Sequence, residues 1–100
     1  MGRFGGEEFI VLLTNVDIQT AQQVGERIRE NVASTPLPTT GGNVPVTVSV
    51  GVAQCYNYDL IRLDTLIDRA DKALYFAKRN GRNLTSVWDE SLHHLGDTST

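Results

Sequence analysis

An α/β fold, in the sense of an α+β sandwich, is predicted by three observations in this 100-residue sequence. Apolar runs of strand length stand near residues 9–13, 46–53 and 84–88. Two stretches between them carry apolar residues three or four apart, the spacing of one helix face. Glycine, proline and asparagine punctuate the joins. The order is strand, turn, strand, helix, strand, helix, strand, with helices covering one face of a sheet or both.

The first element runs from Phe4 through a turn at Gly5-Gly6-Glu7-Glu8 and returns as Phe9-Ile10-Val11-Leu12-Leu13. Glycine permits positive φ and lets a ligand approach the backbone. The returning run is continuously apolar, which predicts a strand covered on both faces. Asn15 to Asp17 closes it, with Asp17 placed to cap the following helix. Ala21, Val24, Ile28 and Val32 then form one stripe, and Glu26, Arg27, Arg29 and Glu30 face water beside it. Gly25 weakens that helix by roughly 1 kcal/mol relative to alanine and marks close packing. Ser34 to Asn43, with Pro36, Pro38, Gly41 and Gly42, reads as a loop.

From Val44 the period changes to two. Val46, Val48, Val50 and Val52 make one large face, while Thr47, Ser49, Gly51 and Ala53 make a small one that a helix or ligand can approach closely. Pro45 stands at the strand's start, where its missing donor does least harm. After a connection at Asn57 to Leu60, the residues Leu63, Leu66, Ile67, Ala70, Ala73, Leu74 and Ala77 form a broad apolar helical face. Asp64 and Asp68 suit its N-terminal end, and Lys78 and Arg79 its C-terminal end. Asn80-Gly81 stops it, with Gly81 a natural residue just past the cap. Leu84 to Trp88 forms the last strand. Residues 1–88 thus make one domain, and residues 89–100 a polar, frayed tail.

Bulk properties exclude several classes. Hydrophobic content of 40% and charged content of 21% are those of an ordinary globular chain. A net charge of −3 provides no general field for nucleic acid or anionic lipid, so a bound phosphate needs a local cluster of cations. No apolar run reaches the ~20 residues of a membrane span, and no leader follows Met1. The lone Cys55 has no internal disulfide partner and reads as a small apolar filler near a strand end. The expected location is cytoplasmic.

Three groups of residues could carry chemistry. Glu7 and Glu8 are hard oxygen ligands at a turn, suited to Mg²⁺, or they form a solvated acidic turn. Lys78 and Arg82 straddle the helix end, so both can reach one point just beyond it. An ammonium and a forked guanidinium there suit a triphosphate, or they complement the helix dipole as surface cations. Arg27, with Arg29 nearby, lies on the polar face of the first helix and reads as solvated. His93 and His94 lack the spacing that brings two imidazoles to one metal. Tyr56, Tyr58, Tyr75 and Phe76 read as packing residues or strand ends.

Taken together, RFGGEEFIVLL at residues 3–13, VTVSVGVA at 46–53 and RADKALYFAKRNGRN at 69–83 resemble the GGDEF family, the catalytic domains of diguanylate cyclases. GERIRE at residues 25–30 fits as well, and GGEEF is an accepted form of the family's signature. The resemblance runs from Arg3 to about Val87. It implies a palm-like, ferredoxin-like fold, here lacking the family's N-terminal strand and helices.

The resemblance also implies an activity. Two GTP molecules, one on each domain of a face-to-face homodimer, are joined into cyclic di-GMP with release of two pyrophosphates. Mg²⁺, or Mn²⁺ in its place, assists the transfer. Glu7 would ligate metal, and Glu8 would lie near the reacting ribose hydroxyl. Gly5 and Gly6 would let the nucleotide lie against the turn, Lys78 and Arg82 would hold its phosphates, and Arg27 would serve a product-inhibition site.

The family's upstream metal-binding aspartate, guanine-reading residues and inhibitory RxxD motif do not occur here. The expectation is therefore a fragment inactive by itself, with no reason to prefer GTP over ATP. The bare neighbours of the missing strand would favour a segment-swapped dimer. The parent would carry an upstream sensory domain and would be cytoplasmic or membrane-anchored. Two alternatives stand beside this reading: a non-catalytic GTP-sensing or protein-interaction module, and a fragment of a related palm-type cyclase or polymerase.

Overall fold

The computed structural model describes residues 7–57 and 60–89. Five strands and two helices follow one another as β1 (Glu7–Thr14), α1 (Ile18–Ala33), β2 (Leu37–Thr39), β3 (Gly42–Val44), β4 (Val48–Cys55), α2 (Leu63–Arg79) and β5 (Thr85–Val87). The main sheet has the order β1-β4-β5 and is parallel throughout. Its register sets Glu7 beside Val48, Glu8 beside Ser49 and Val50 beside Thr85.

The predicted two-faced strand organises everything else. Val48, Val50 and Val52 are fully buried and pack with Ala21, Ile28 and Val32 of α1. On the other face, Ala53 and Cys55 pack with Leu66 and Ala70 of α2. Gly51 lies directly under that helix: a Cβ there would stand 2.4 Å from the Ala70 carbonyl oxygen and 2.4 Å from the Leu74 nitrogen. The small face is small because helix backbone occupies the space. Since the strands progress in one direction with helices on opposite faces, the two crossovers are of opposite hand, one of them the rare left-handed kind.

Helix α1 starts where Asp17 predicts, the carboxylate accepting from the Thr20 N–H at 2.7 Å. That bond, stronger to the ionised form, holds the Asp17 carboxyl below its usual value. Gly25 is the close contact with the sheet that its position implied, since a Cβ there would meet Thr85 Cγ2 at 2.4 Å and Val52 Cγ2 at 3.0 Å. Helix α2 ends in a Schellman motif: the Arg82 N–H donates to the Ala77 carbonyl at 3.0 Å across Gly81, whose φ is +118°.

Several expectations are corrected. The stretch read as loop contains an antiparallel hairpin, β2 with β3, closed through Gly42 at φ +115°. Pro38 is tolerated in this short, separate ribbon because no third strand needs its missing donor. The period-two strand begins at Val48, and Pro45 separates it from β3. Strand β1 is not covered on both faces: Phe9 is 46% and Ile10 39% exposed, because β1 is an edge of the described sheet. The expected gap between strands is also missing, since β1 and β4 pair directly over eight residues.

Leu63 is exposed, as the first residue of α2 lying short of the sheet. Tyr75 is exposed too, with the Arg79 guanidinium 5.6 Å from its ring centroid. Phe4, Gly5, Gly6, Tyr58, His93, His94 and the tail beyond Asp89 lie outside the described residues.

Candidate functional site

The strands of the main sheet start at the end where α2 finishes. Glu8 is the second residue of β1, and the strand's alternation puts it on the α2 side with Ile10 and Leu12. The close approach over Gly51 lowers α2 onto that face, so its last turn lies within reach of the start of β1. Glu8 Oε1 stands 3.4 Å from Lys78 Nζ, and Glu8 Oε2 stands 4.0 Å from Arg82 Nη1. Residues 70 and 74 positions apart in sequence thus form one cluster of a carboxylate and two cations.

The cluster is open to solvent. Lys78 is 28%, Glu8 31% and Arg82 55% exposed at the side chain. Ion pairs of this exposure are worth about 0–1 kcal/mol, because water screens both partners. Such pairs are readily exchanged for an anion that offers more charge and bidentate acceptors. The cluster is therefore a pair of cations held in register by a carboxylate, rather than a structural lock.

The backbone beneath Arg82 is specialised. Gly81, Arg82 and Asn83 have φ of +118°, +62° and +51° in succession. The Asn83 N–H donates to Ser49 Oγ at 3.2 Å, which ties the turn to the small face of β4. Asn83 Oδ1 accepts from Arg29 Nη1 at 3.0 Å. Arg29 is in turn gripped by Glu26 at two points, 2.9 Å from Nε and 2.8 Å from Nη2. That fork lowers the Glu26 carboxyl from its usual value and raises the Arg29 guanidinium further. Glu26 and Arg29 are thus not simply facing water; they are paired and half-buried.

The structure brings together Glu8, Lys78 and Arg82 among the sequence-predicted residues. It does not bring Glu7 or Arg27 to them. Alternation along β1 directs Glu7 to the α1 side, and Arg27 is exposed on α1. Among the described residues, no three His, Cys, Asp or Glu side chains cluster as a metal site. Mg²⁺ is commonly held by one or two carboxylates together with substrate phosphates and water. A single carboxylate at the start of β1 suits that partial role, and the described residues supply no full cage. Sequence reasoning missed Ser49, Asn83 and Glu26 as neighbours of the cluster, and read Arg29 as a solvated charge where the structure pairs it with Glu26 and Asn83. The i, i+3 spacing of Glu26 and Arg29 signals their pairing, but nothing local signals the contact with Asn83.

The family described as diguanylate cyclase, GGDEF domain, matches residues 1–84. The chain belongs to that family. It is 44% identical over 90 residues to diguanylate cyclase A of Treponema denticola, covering 90% of this chain and 24% of the relative. It is 38% identical over 91 residues to diguanylate cyclase DosC of Escherichia coli (strain K12), covering 90% of this chain and 19% of the relative. An uncharacterized protein of Bacillus subtilis, YhcK, is 43% identical over 82 residues, covering 81% of this chain and 23% of its own length. The chain thus spans about a quarter or less of these relatives. No described helix is long and apolar enough to cross a membrane.

Proposed function

We propose that this chain supplies the triphosphate-holding half of a diguanylate cyclase site, and that it does not turn over by itself. The carrying observation is the convergence of Lys78 and Arg82 on Glu8 at the start of β1. Family membership and the likeness to two diguanylate cyclases support the reaction class. In the parent, two GTP give cyclic di-GMP and two pyrophosphates. In each transfer a ribose 3′-oxygen forms a bond to the α-phosphorus of the other nucleotide. The bond to the β-phosphate oxygen breaks, pyrophosphate leaves, and the hydroxyl proton passes to a base.

Each residue has a role set by its chemistry. Lys78 and Arg82 exchange the Glu8 carboxylate for phosphate oxygens, a charge-assisted contact that Arg makes bidentately. Glu8, released from the two cations, becomes an acceptor beside the bound nucleotide and is the candidate for the hydroxyl proton. Gly5 and Gly6 leave room for the nucleotide against the chain. Glu7, turned by the strand's alternation to the side opposite Glu8, would offer one carboxylate to Mg²⁺ or Mn²⁺ only at the very start of β1, where the two sides meet. When bound, the metal neutralises phosphate charge and eases deprotonation of the hydroxyl. Arg27 belongs to a separate, regulatory contact. A homodimer follows from the need for two nucleotides, and the exposed Phe9 and Ile10 at the β1 edge suit segment exchange.

Calorimetric titration of the chain with Mg²⁺–pyrophosphate and Mg²⁺–GTP tests the cradle. Lys78→Ala with Arg82→Ala should weaken both ligands by at least about tenfold, the loss expected for charged hydrogen bonds. Unchanged affinity in that variant would remove the proposal. Chromatographic assay for cyclic di-GMP tests the second half: steady product from the chain alone would show that the site is complete.

A further inference from the structure

The turn that carries Arg82 is held from the far side of the sheet. Arg82 and Asn83 both lie in the left-handed region, with φ of +62° and +51°. Glycine and asparagine visit that region readily, and arginine does not. A conformation of this kind persists only where its surroundings over-determine it, and it concentrates at working sites. Three hydrogen bonds do so here: Arg82 N–H to the Ala77 carbonyl at 3.0 Å, Asn83 N–H to Ser49 Oγ at 3.2 Å, and Arg29 Nη1 to Asn83 Oδ1 at 3.0 Å. The last is the only one that comes from α1, on the face opposite α2.

Arg29 is suited to this task by its own restraint. Its Nε and Nη2 are both committed to Glu26, which leaves Nη1 directed at Asn83. A guanidinium fixed by a two-point carboxylate fork is a rigid donor, unlike a swinging lysine. The chain of contacts Glu26–Arg29–Asn83 therefore crosses from α1 to the residue next to Arg82. Arg82 itself is more than half exposed, with one long pair to Glu8 at 4.0 Å. Among the described residues, its backbone is what chiefly aims it.

We propose that Glu26 and Arg29 are positioning residues for Arg82: they pin the Asn83 side chain, Asn83 keeps the turn left-handed, and the turn aims the guanidinium at the point where phosphate replaces Glu8. The inference rests on the reading of Arg82 as a phosphate ligand. An ordinary role, joining α1 to the start of β5, would leave phosphate affinity untouched.

The test uses the whole chain with two readouts. Amide hydrogen exchange at Arg82 and Asn83 reports the turn without any ligand, and titration with Mg²⁺–pyrophosphate reports the cradle. Arg29→Ala and, independently, Asn83→Gly should each speed exchange at both amides by about tenfold. Each should also weaken pyrophosphate by about tenfold, as expected for losing the alignment of one charged hydrogen bond. Asn83→Asp, which keeps an acceptor for Arg29 and tolerates the left-handed region, should retain both properties. In an Arg82→Ala background, Arg29→Ala should cost no further affinity, because a positioning residue acts only through what it positions.

Unchanged exchange in both Arg29→Ala and Asn83→Gly overturns the clamp. A loss of affinity that adds to that of Arg82→Ala overturns it differently, by making Arg29 a direct contributor of charge. Pyrophosphate binding undiminished in Arg82→Ala alone overturns the phosphate reading instead, so the two failures are told apart by different variants.

Discussion

The two faces of β4 are packed by opposite means. Against α1, three fully buried valines fill the space with branched side chains. Against α2, serine, glycine and alanine leave so little volume that the helix backbone itself rests on Gly51. The first face is a conventional apolar core. The second gives up side-chain burial for proximity, and the proximity is what delivers Lys78 and Arg82 to Glu8. A site built between a strand and a helix end needs the tight face, because a stem of four carbons spans only a short gap.

The tight face is most vulnerable at Gly51. Gly51→Ala places a methyl group 2.4 Å from backbone atoms of Ala70 and Leu74, which cannot rotate away. The expected loss is about 3 kcal/mol or more, at the upper end of overpacking costs. Chemical denaturation measures it, and a variant as stable as the parent would show that the α2 backbone does not rest on Gly51.

On the large face the opposite change is the informative one. Val50→Ala empties space between β4 and α1 and should cost about 2 kcal/mol, from two lost methyl equivalents and a residual cavity. Pyrophosphate affinity, measured separately by titration, should fall less than in Gly51→Ala, because Lys78 is carried by α2 and α1 reaches the cradle only through Arg29 and Asn83. A comparable loss of affinity would erase the functional distinction between the faces.

Gly25 lies on the large-face side but makes a close contact of its own. Gly25→Ala adds helix propensity, about 1 kcal/mol, and sets a methyl against Thr85 Cγ2 and Val52 Cγ2. These are side-chain atoms that can give way, so the net loss should be about 1 kcal/mol and smaller than at Gly51. Adding Thr85→Ser removes the offending methyl and should restore stability to at least the parental level by thermal unfolding.

The smallest effect concerns pH. The Glu26 carboxyl is held below its usual value of 4.5, first by the hydrogen bond from Arg29. A carboxyl lowered on folding adds stability above its unfolded value, and that stability is lost as pH falls through the folded value. Thermal midpoints should therefore decline on acidification below about 4.5, and Glu26→Gln should flatten part of that decline. The Glu26 side chain is one-third exposed, so screening keeps the change modest. A slope identical in Glu26→Gln would remove the fork from the account of acid sensitivity.

Much of this was legible in the chain of residues. Periodicity marked both helices and the two-faced strand, since a helix repeats every 3.6 residues and a strand every two. Asp17 and Gly81 announced a start and a stop, because capping is a matter of local backbone geometry. The residue types of the cluster were legible as well, since Glu8 in the GGEEF run and the Lys78–Arg82 pair stood out in the sequence and lie together in the fold. Gly25 and Gly51 stood out as places of close approach.

Other features depended on what folding brings near. The hairpin at Pro38 followed no apolar pattern, since its pairing is made by backbone groups alone. The exposure of Phe9 and Ile10 depended on which strand is an edge, and composition cannot rank strands within a sheet. Glu8 met Lys78 and Arg82 only because Gly51 lets α2 descend. Arg29 met Asn83, 54 residues away, only because α1 and the turn before β5 converge on the same sheet edge. Local chemistry determined the elements and the residue types of the site. Their juxtaposition was decided by packing, because ion pairs and hydrogen bonds between distant segments act over a few ångströms that only the tertiary fold can close.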